Sequence, residues 1–223
     1  MPQQISRKIL LYFFLFVILG TFNNKNLNFF ELPKINSIKI YGLEKEDLIF
    51  EKSLDLIKIN NVFFTNKSQI QKLFETNNLI EEYQIFKRYP SSLEVEIVKA
   101  KFLAQTNIDG KIFFVGSNGK LIEKKSNSKN LPYIFGNFDI DNFLNLKKII
   151  DETNLDFKEI KNLYFFPSGR WDVEILSKVL IKLPSERLKE SINLSLDFLN
   201  NKKFNNIEVI DLRQKNQVII DER

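Results

Sequence analysis

Acidic side chains are the groups in this sequence that most invite a catalytic reading: Asp139 with Asp141, Asp109, and Asp151 with Glu152. Two carboxylates held in different surroundings can divide the roles of general acid and general base. Each of these falls in a turn or on an expected helix surface. None has a histidine beside it or a glycine-rich phosphate cradle around it, so they read as solvated surface carboxylates. The chain contains no histidine and no cysteine. That removes the commonest general base, the Ser-His-Asp arrangement, thiolate nucleophiles, disulfides and the usual transition-metal ligands. The expectation is a protein that is not an enzyme and takes no cofactor and no metal.

Binding chemistry remains. Trp171, the single tryptophan, alternates with Val173 and Ile175, which favours sheet packing, with a partner contact as the alternative. Arg170 falls on the opposite face of that strand and is the better surface candidate. Arg213 either pairs with Asp211 or nearby carbonyls, or meets a partner. Gln217, Val218, Ile219 and Ile220 form a short apolar strand followed here only by Asp221, Glu222 and Arg223, so its outer edge is expected to be open to another chain. Arg170, Arg213, Gln217, Val218, Ile219 and Ile220 are therefore the candidate partner-binding residues.

The elements that must position these residues follow from composition and periodicity. A chain of 223 residues with 43% hydrophobic and 13% aromatic content can bury a sizeable core and is not a disordered polymer. Its net charge of +5 comes from 33 basic and 28 acidic residues. These are spread along the whole length, without the dense basic stripe that tracks phosphates, so nucleic acid is not an expected partner.

The run from Ile9 to Leu19 is apolar throughout and is extended by Gly20, Thr21 and Phe22. About 14 residues at about 1.5 Å each reach about 21 Å, short of a roughly 30 Å hydrocarbon core, so a cleaved signal competes with a retained anchor. No small-x-small cleavage site follows, and flanking residues can complete the span, which favours retention in lipid over residues 9–24. Arg7 and Lys8 before the run, against Lys25 after it, put residues 1–8 in the cytoplasm and the chain from about residue 25 onward outside.

Beyond a polar connector over residues 25–34, Ile38 and Ile40 alternate in a strand that ends at Gly42. A helix of modest quality over residues 43–56 and a second helix from Lys67 to Thr76, with Ile70, Leu73 and Phe74 at helical spacing, come next. Strands at Ile80–Pro90 and Leu93–Val98 follow, joined by a Pro-Ser-Ser turn. Farther on, Ile112–Val115 reads as a strand between Asp-Gly and Asn-Gly turns. Phe143, Leu146, Ile149 and Ile150 show helical spacing. A hairpin spans Ile160–Phe166 and Arg170–Leu176, and a strand spans Val179–Pro184. An amphipathic helix from Glu186 to Leu199 and strands at Ile207–Arg213 and Gln217–Ile220 close the chain.

Three segments resemble the POTRA domain of the FtsQ/DivIB family: Ile35 to Gly42, Asn61 to Phe64, and Arg88-Tyr89-Pro90-Ser91-Ser92-Leu93-Glu94-Val95. At the domain junction, Val98 to Ala104 keeps only the basic residues and alanine of the family's acidic-basic-proline-alanine pattern. Farther on, Leu131 to Gly136, Arg170-Trp171, Leu183-Pro184 and the Asp211-Leu212-Arg213 triplet are similar to the second domain of that family. The resemblance implies an α+β protein: a single N-terminal transmembrane helix, a β-α-α-β-β POTRA domain over residues 35–101, and a mixed sheet domain with helices over residues 102–223. It further implies a bitopic inner-membrane scaffold at the bacterial division septum, with its C-terminal domain in the periplasm. Such a scaffold would bind FtsB and FtsL at the C-terminal edge strand and engage FtsW/FtsI and upstream division proteins through the POTRA domain, helping to control septal peptidoglycan synthesis. A POTRA-bearing periplasmic chaperone or transport component is the alternative, although the chain after Lys101 is too short for a sizeable barrel.

Overall fold

The computed structural model describes residues 7–21, 33–42, 62–63, 67–124, 128, 130–201, 203–204 and 206–222. The expected helix over residues 43–56 lies outside them. Helix α1 (Arg7–Thr21) takes up the apolar run, and its large side chains from Ile9 to Leu19 are all exposed. Its 15 residues reach about 22 Å. Among the described residues no helix is long and apolar enough to cross a membrane.

Two sheets follow, each with its own core. In the small sheet, β1 (Ser37–Tyr41) lies parallel to β3 (Ser92–Lys99), and β3 pairs antiparallel with β2 (Ile80–Arg88). Side-chain alternation puts Leu93, Val95 and Ile97 on one face, where they bury together with Ile70 and Phe74 from α2 (Lys67–Glu75). The β2–β3 turn falls one residue earlier than the sequence suggested, since β2 ends at Arg88 and β3 begins at Ser92.

The large sheet has nine strands in the order β12-β11-β10-β9-β8-β7-β4-β5-β6. These are β4 (Phe102–Ile108), β5 (Lys111–Gly116), β6 (Leu121–Lys124), β7 (Tyr133–Phe135), β8 (Ile160–Phe165), β9 (Trp171–Ile175), β10 (Leu180–Lys182), β11 (Ile207–Asp211) and β12 (Ile219–Glu222). One row of paired residues, Ile134, Leu163, Val173, Ile181 and Ile210, runs across the sheet. These side chains bury against Phe143, Leu146 and Ile150 of α3 (Ile140–Asp151) and Ile192 of α4 (Leu188–Asn200). The next row, Phe135, Tyr164, Asp172, Lys182 and Asp211, therefore points to the face without these helices.

Only Ala100 and Lys101 separate β3 from β4, yet the junction is extensively bonded. In the β5–β6 turn, the Asn118 amide donates to the Asn78 and Ile80 carbonyls, 2.9 Å each, and Lys120 Nζ donates to the Glu75 carbonyl at 2.8 Å. Ser117 Oγ donates to the Glu81 carboxylate and accepts from the Lys101 amide. Asn78 returns a bond to the Leu121 carbonyl at 2.9 Å. Among the described residues the two apolar clusters pack separately, and these polar bonds cross between the two sheets.

Candidate functional site

The C-terminal strand occupies one end of the large sheet. β12 pairs antiparallel with β11 through Ile210↔Ile220 and Asp211↔Ile219, and no other described strand lies beside it. Its bounds differ from the expected ones. Gln217 and Val218 precede the strand, whereas Asp221 and Glu222 belong to it. The apolar run misled because an edge strand with one solvated face needs no continuous hydrophobicity, and the Asp211↔Ile219 pairing sets the register. Ile219 is 47% exposed while Val218 packs partly against the main core.

Arg213 follows β11 after Leu212. Its Nε donates to Asp211 Oδ1 and Oδ2 at 2.8 and 3.0 Å, and Nη2 donates to Oδ2 at 2.5 Å. This forked pairing holds the Asp211 carboxyl below the ordinary carboxylate range and raises the Arg213 guanidinium further. The expected Asp211 partnership is therefore formed, while the Arg213 side chain stays 41% exposed.

Arg170 enters β9 from the other side of the same open face. Its guanidinium carbon stands 4.1 Å from the Phe166 ring centre, a cation–π placement. Its Nε is 3.6 Å from Asp172 Oδ1, too far for a hydrogen bond, and both atoms are buried with no bonded partner. Burial raises the Asp172 pKa, against the pull of Arg170, Arg213 and Lys182. Trp171, one residue on, is buried at 2% exposure against Phe165, 4.7 Å between ring centres, so it belongs to the core.

Arg170 and Arg213 thus both act on Asp172 on the open face, with β10 and β11 lying between β9 and the β12 edge, whereas Gln217 and Val218 line a cavity with Arg187, Ser191 and Leu194 beside α4. Sequence reasoning missed the rest of that face. Glu174 accepts from Asn162, Tyr164 and Lys161 at 2.8 to 2.9 Å, and the Asn162 bond leads in keeping its carboxyl below the usual range. Tyr164 also stacks on Phe135 at 5.1 Å. The strand-to-strand pairing that unites them was the missing signal. The carboxylates first considered for catalysis do not converge. Asp139 and Asp141 flank the start of α3, Asp109 sits in a turn, Asp151 is bonded by Lys147, and Glu152 is bonded by Lys189. Among the described residues no cluster of acidic side chains could hold a metal ion.

The family model described as cell division protein FtsQ/DivIB, C-terminal, matches residues 104–213. A cell division protein DivIB of Clostridium botulinum (strain Loch Maree / Type A3) is 30% identical over 132 residues, which make up 59% of this chain and 50% of that protein. A cell division protein FtsQ of Rickettsia bellii (strain RML369-C) is 25% identical over 195 residues, 84% of this chain and 72% of that protein. This chain thus spans about half the length of the Clostridium botulinum relatives it matches. The major extracytoplasmic domain of the trans isomer of DivIB from Geobacillus stearothermophilus aligns over 46% of this chain and 98% of its own, at 14% identity and a TM-score of 0.34.

Proposed function

We propose that this chain, which belongs to the FtsQ/DivIB family and has a role in cell division, is a bitopic scaffold that works by binding, with no turnover. Residues 9–24 anchor it in the inner membrane, residues 35–101 form a POTRA domain, and residues 102–223 form the second periplasmic domain, at the division septum. The proposed partners are FtsB and FtsL at the C-terminal edge, with FtsW/FtsI and upstream division proteins at the POTRA domain.

One observation carries the reading: the β12 edge has no described strand on its outer side. An unpaired row of N–H and C=O groups accepts an extended segment, main-chain bonds giving affinity and neighbouring side chains giving register. Arg213, two residues past the end of β11, is the side chain proposed to set that register.

Antiparallel pairing makes alternate residues of β12 bond inward to β11 and outward. Proline at Ile219, Ile220, Asp221 and Glu222 in turn should therefore divide into two classes. Substitutions at inward positions lower the melting temperature. Those at outward positions leave it unchanged and weaken capture of FtsB. If every proline variant that keeps its fold binds FtsB like the parent, the strand-addition mechanism fails, and the interface belongs around Arg170 and Phe166.

A further inference from the structure

The seam between the two sheets is built on a dipeptide with a reactivity of its own. Asn118 and Gly119 form the only Asn-Gly pair in the chain, and the turn needs glycine there, at φ of +72°. In such a pair no side chain shields the backbone nitrogen that follows asparagine, so that nitrogen can attack the neighbouring carboxamide carbon. Here every group in that reaction is held by a hydrogen bond. The Asn118 carboxamide donates to the Asn78 and Ile80 carbonyls at 2.9 Å each and accepts from the Lys120 amide at 3.1 Å. The Gly119 amide, the attacking group, donates to the Gly116 carbonyl at 3.0 Å. The carboxamide also lies tight against the turn, since a Cβ at Gly116 would fall 2.5 Å from its Oδ1. Asn78, Asn107 and Asn162 bond through their side chains as well. They are followed by Leu79, Ile108 and Leu163, whose side chains hinder the same attack.

We propose that Asn118 is a deamidation site restrained by the seam, and that its reaction frees the two units from their fixed orientation. The Gly119 nitrogen bonds to Asn118 Cγ, the bond from Cγ to Nδ2 breaks, and the nitrogen's proton leaves with the amide as ammonia. The product is a cyclic imide. Water adds to either of its carbonyls and opens the ring, leaving aspartate or isoaspartate at position 118 and a proton in solution. Water is the sole co-reactant. While the seam is closed, Cγ is held against the small sheet and the Gly119 N–H stays on its carbonyl, so the reaction proceeds through local opening. The product does not restore the closed state. A carboxylate has no N–H to donate, so the Asn78 and Ile80 carbonyls would meet lone pairs instead of donors. Isoaspartate also adds a carbon to the backbone of the turn. A reversible separation of the two units is thereby made permanent.

Trypsin cuts after Lys111 and Lys120 and releases the pair within Ile112–Lys120, where mass spectrometry reads conversion of amide to acid. The full chain is aged at neutral pH, folded or in urea. Conversion in urea should be faster than in the folded chain by at least about ten-fold. Asn78→Ala removes the bond to the Leu121 carbonyl, and Glu81→Ala removes the bond from Ser117. Each should speed the folded-state reaction about two- to ten-fold and leave the rate in urea unchanged. The converted chain, spin-labelled at Gln84→Cys and Ser168→Cys, should show a broader distance distribution than the fresh chain, with the same circular dichroism. Asn118→Asp should reproduce that breadth without ageing, and Asn118→Gln should not change on ageing. A folded-state rate equal to the rate in urea, or indifferent to Asn78→Ala and Glu81→Ala, overturns control by the seam. A converted chain as narrow in its distances as the fresh one overturns the release of the two units. The comparison of folded and unfolded rates needs no substitution, so it decides even where a variant fails to fold.

Discussion

Asp172 and Asp211 lie side by side on the open face, separated by Lys182, and their surroundings act on them in opposite directions. Burial raises the Asp172 pKa above its unfolded value, so folding disfavours its charged form. That cost is fully present at neutral pH and is relieved as pH falls through the raised folded value. The fork from Arg213 lowers the Asp211 pKa, so its contribution is present above the ordinary carboxylate range and lost as pH falls through the lowered value. Asp172→Asn is predicted to melt no lower than the parent at neutral pH, with any advantage shrinking on acidification. Asp211→Asn is predicted to melt lower at neutral pH and to converge with the parent in acid. Thermal melts followed by circular dichroism across that range decide both. A lower melting temperature for Asp172→Asn at neutral pH would mean that attraction to Arg170 outweighs burial.

Among the elements, β1 shows how a local signal and a tertiary contact agree. Its closing Gly42 has φ of +93°, and a Cβ there would fall 1.8 Å from the Ile97 carbonyl oxygen, so both conformation and space require glycine. Gly42→Ala should cost more than about 1 kcal/mol, seen as a lower denaturant midpoint with an unchanged slope. An unchanged midpoint would show that β1 can separate from β3 without loss. The sequence made this strand legible because apolar alternation and a turn residue coincide, as they do in β3, β5 and the β8–β9 hairpin. It did not reveal β4, β6 or β7. β4 carries Gln105 and Thr106 at buried positions, where Gln105 bonds the Ser128 and Leu131 carbonyls and Thr106 the Ile134 carbonyl. Polar residues satisfied by distant partners disguise an interior strand. β6 and β7 have only four and three residues, too few to display a period. The candidate site was legible as residue types, but its arrangement depends on register between strands far apart in sequence.

At the scale of the whole molecule, the β5–β6 turn joins two separately packed units by hydrogen bonds. Such bonds contribute roughly 0.5–1.5 kcal/mol each, so a few of them hold the units in one orientation without fusing their cores. Asn118→Ala combined with Lys120→Ala removes three of these bonds. The distance distribution between spin labels at Gln84→Cys and Ser168→Cys should broaden while circular dichroism stays native. A distribution as narrow as the parent's would place the stiffness in the two-residue linker. The parallel pairing of β1 with β3 has a mechanical consequence. Tension between a fixed N-terminal segment and a load on the large unit pulls β1 from its first residue and β3 from its last. The two strands are then drawn past each other lengthwise. All five pairs from Ser37↔Ser92 to Tyr41↔Glu96 bear the load together in shear, whereas peeling would open them one at a time, and survival under force is governed by the unfolding rate.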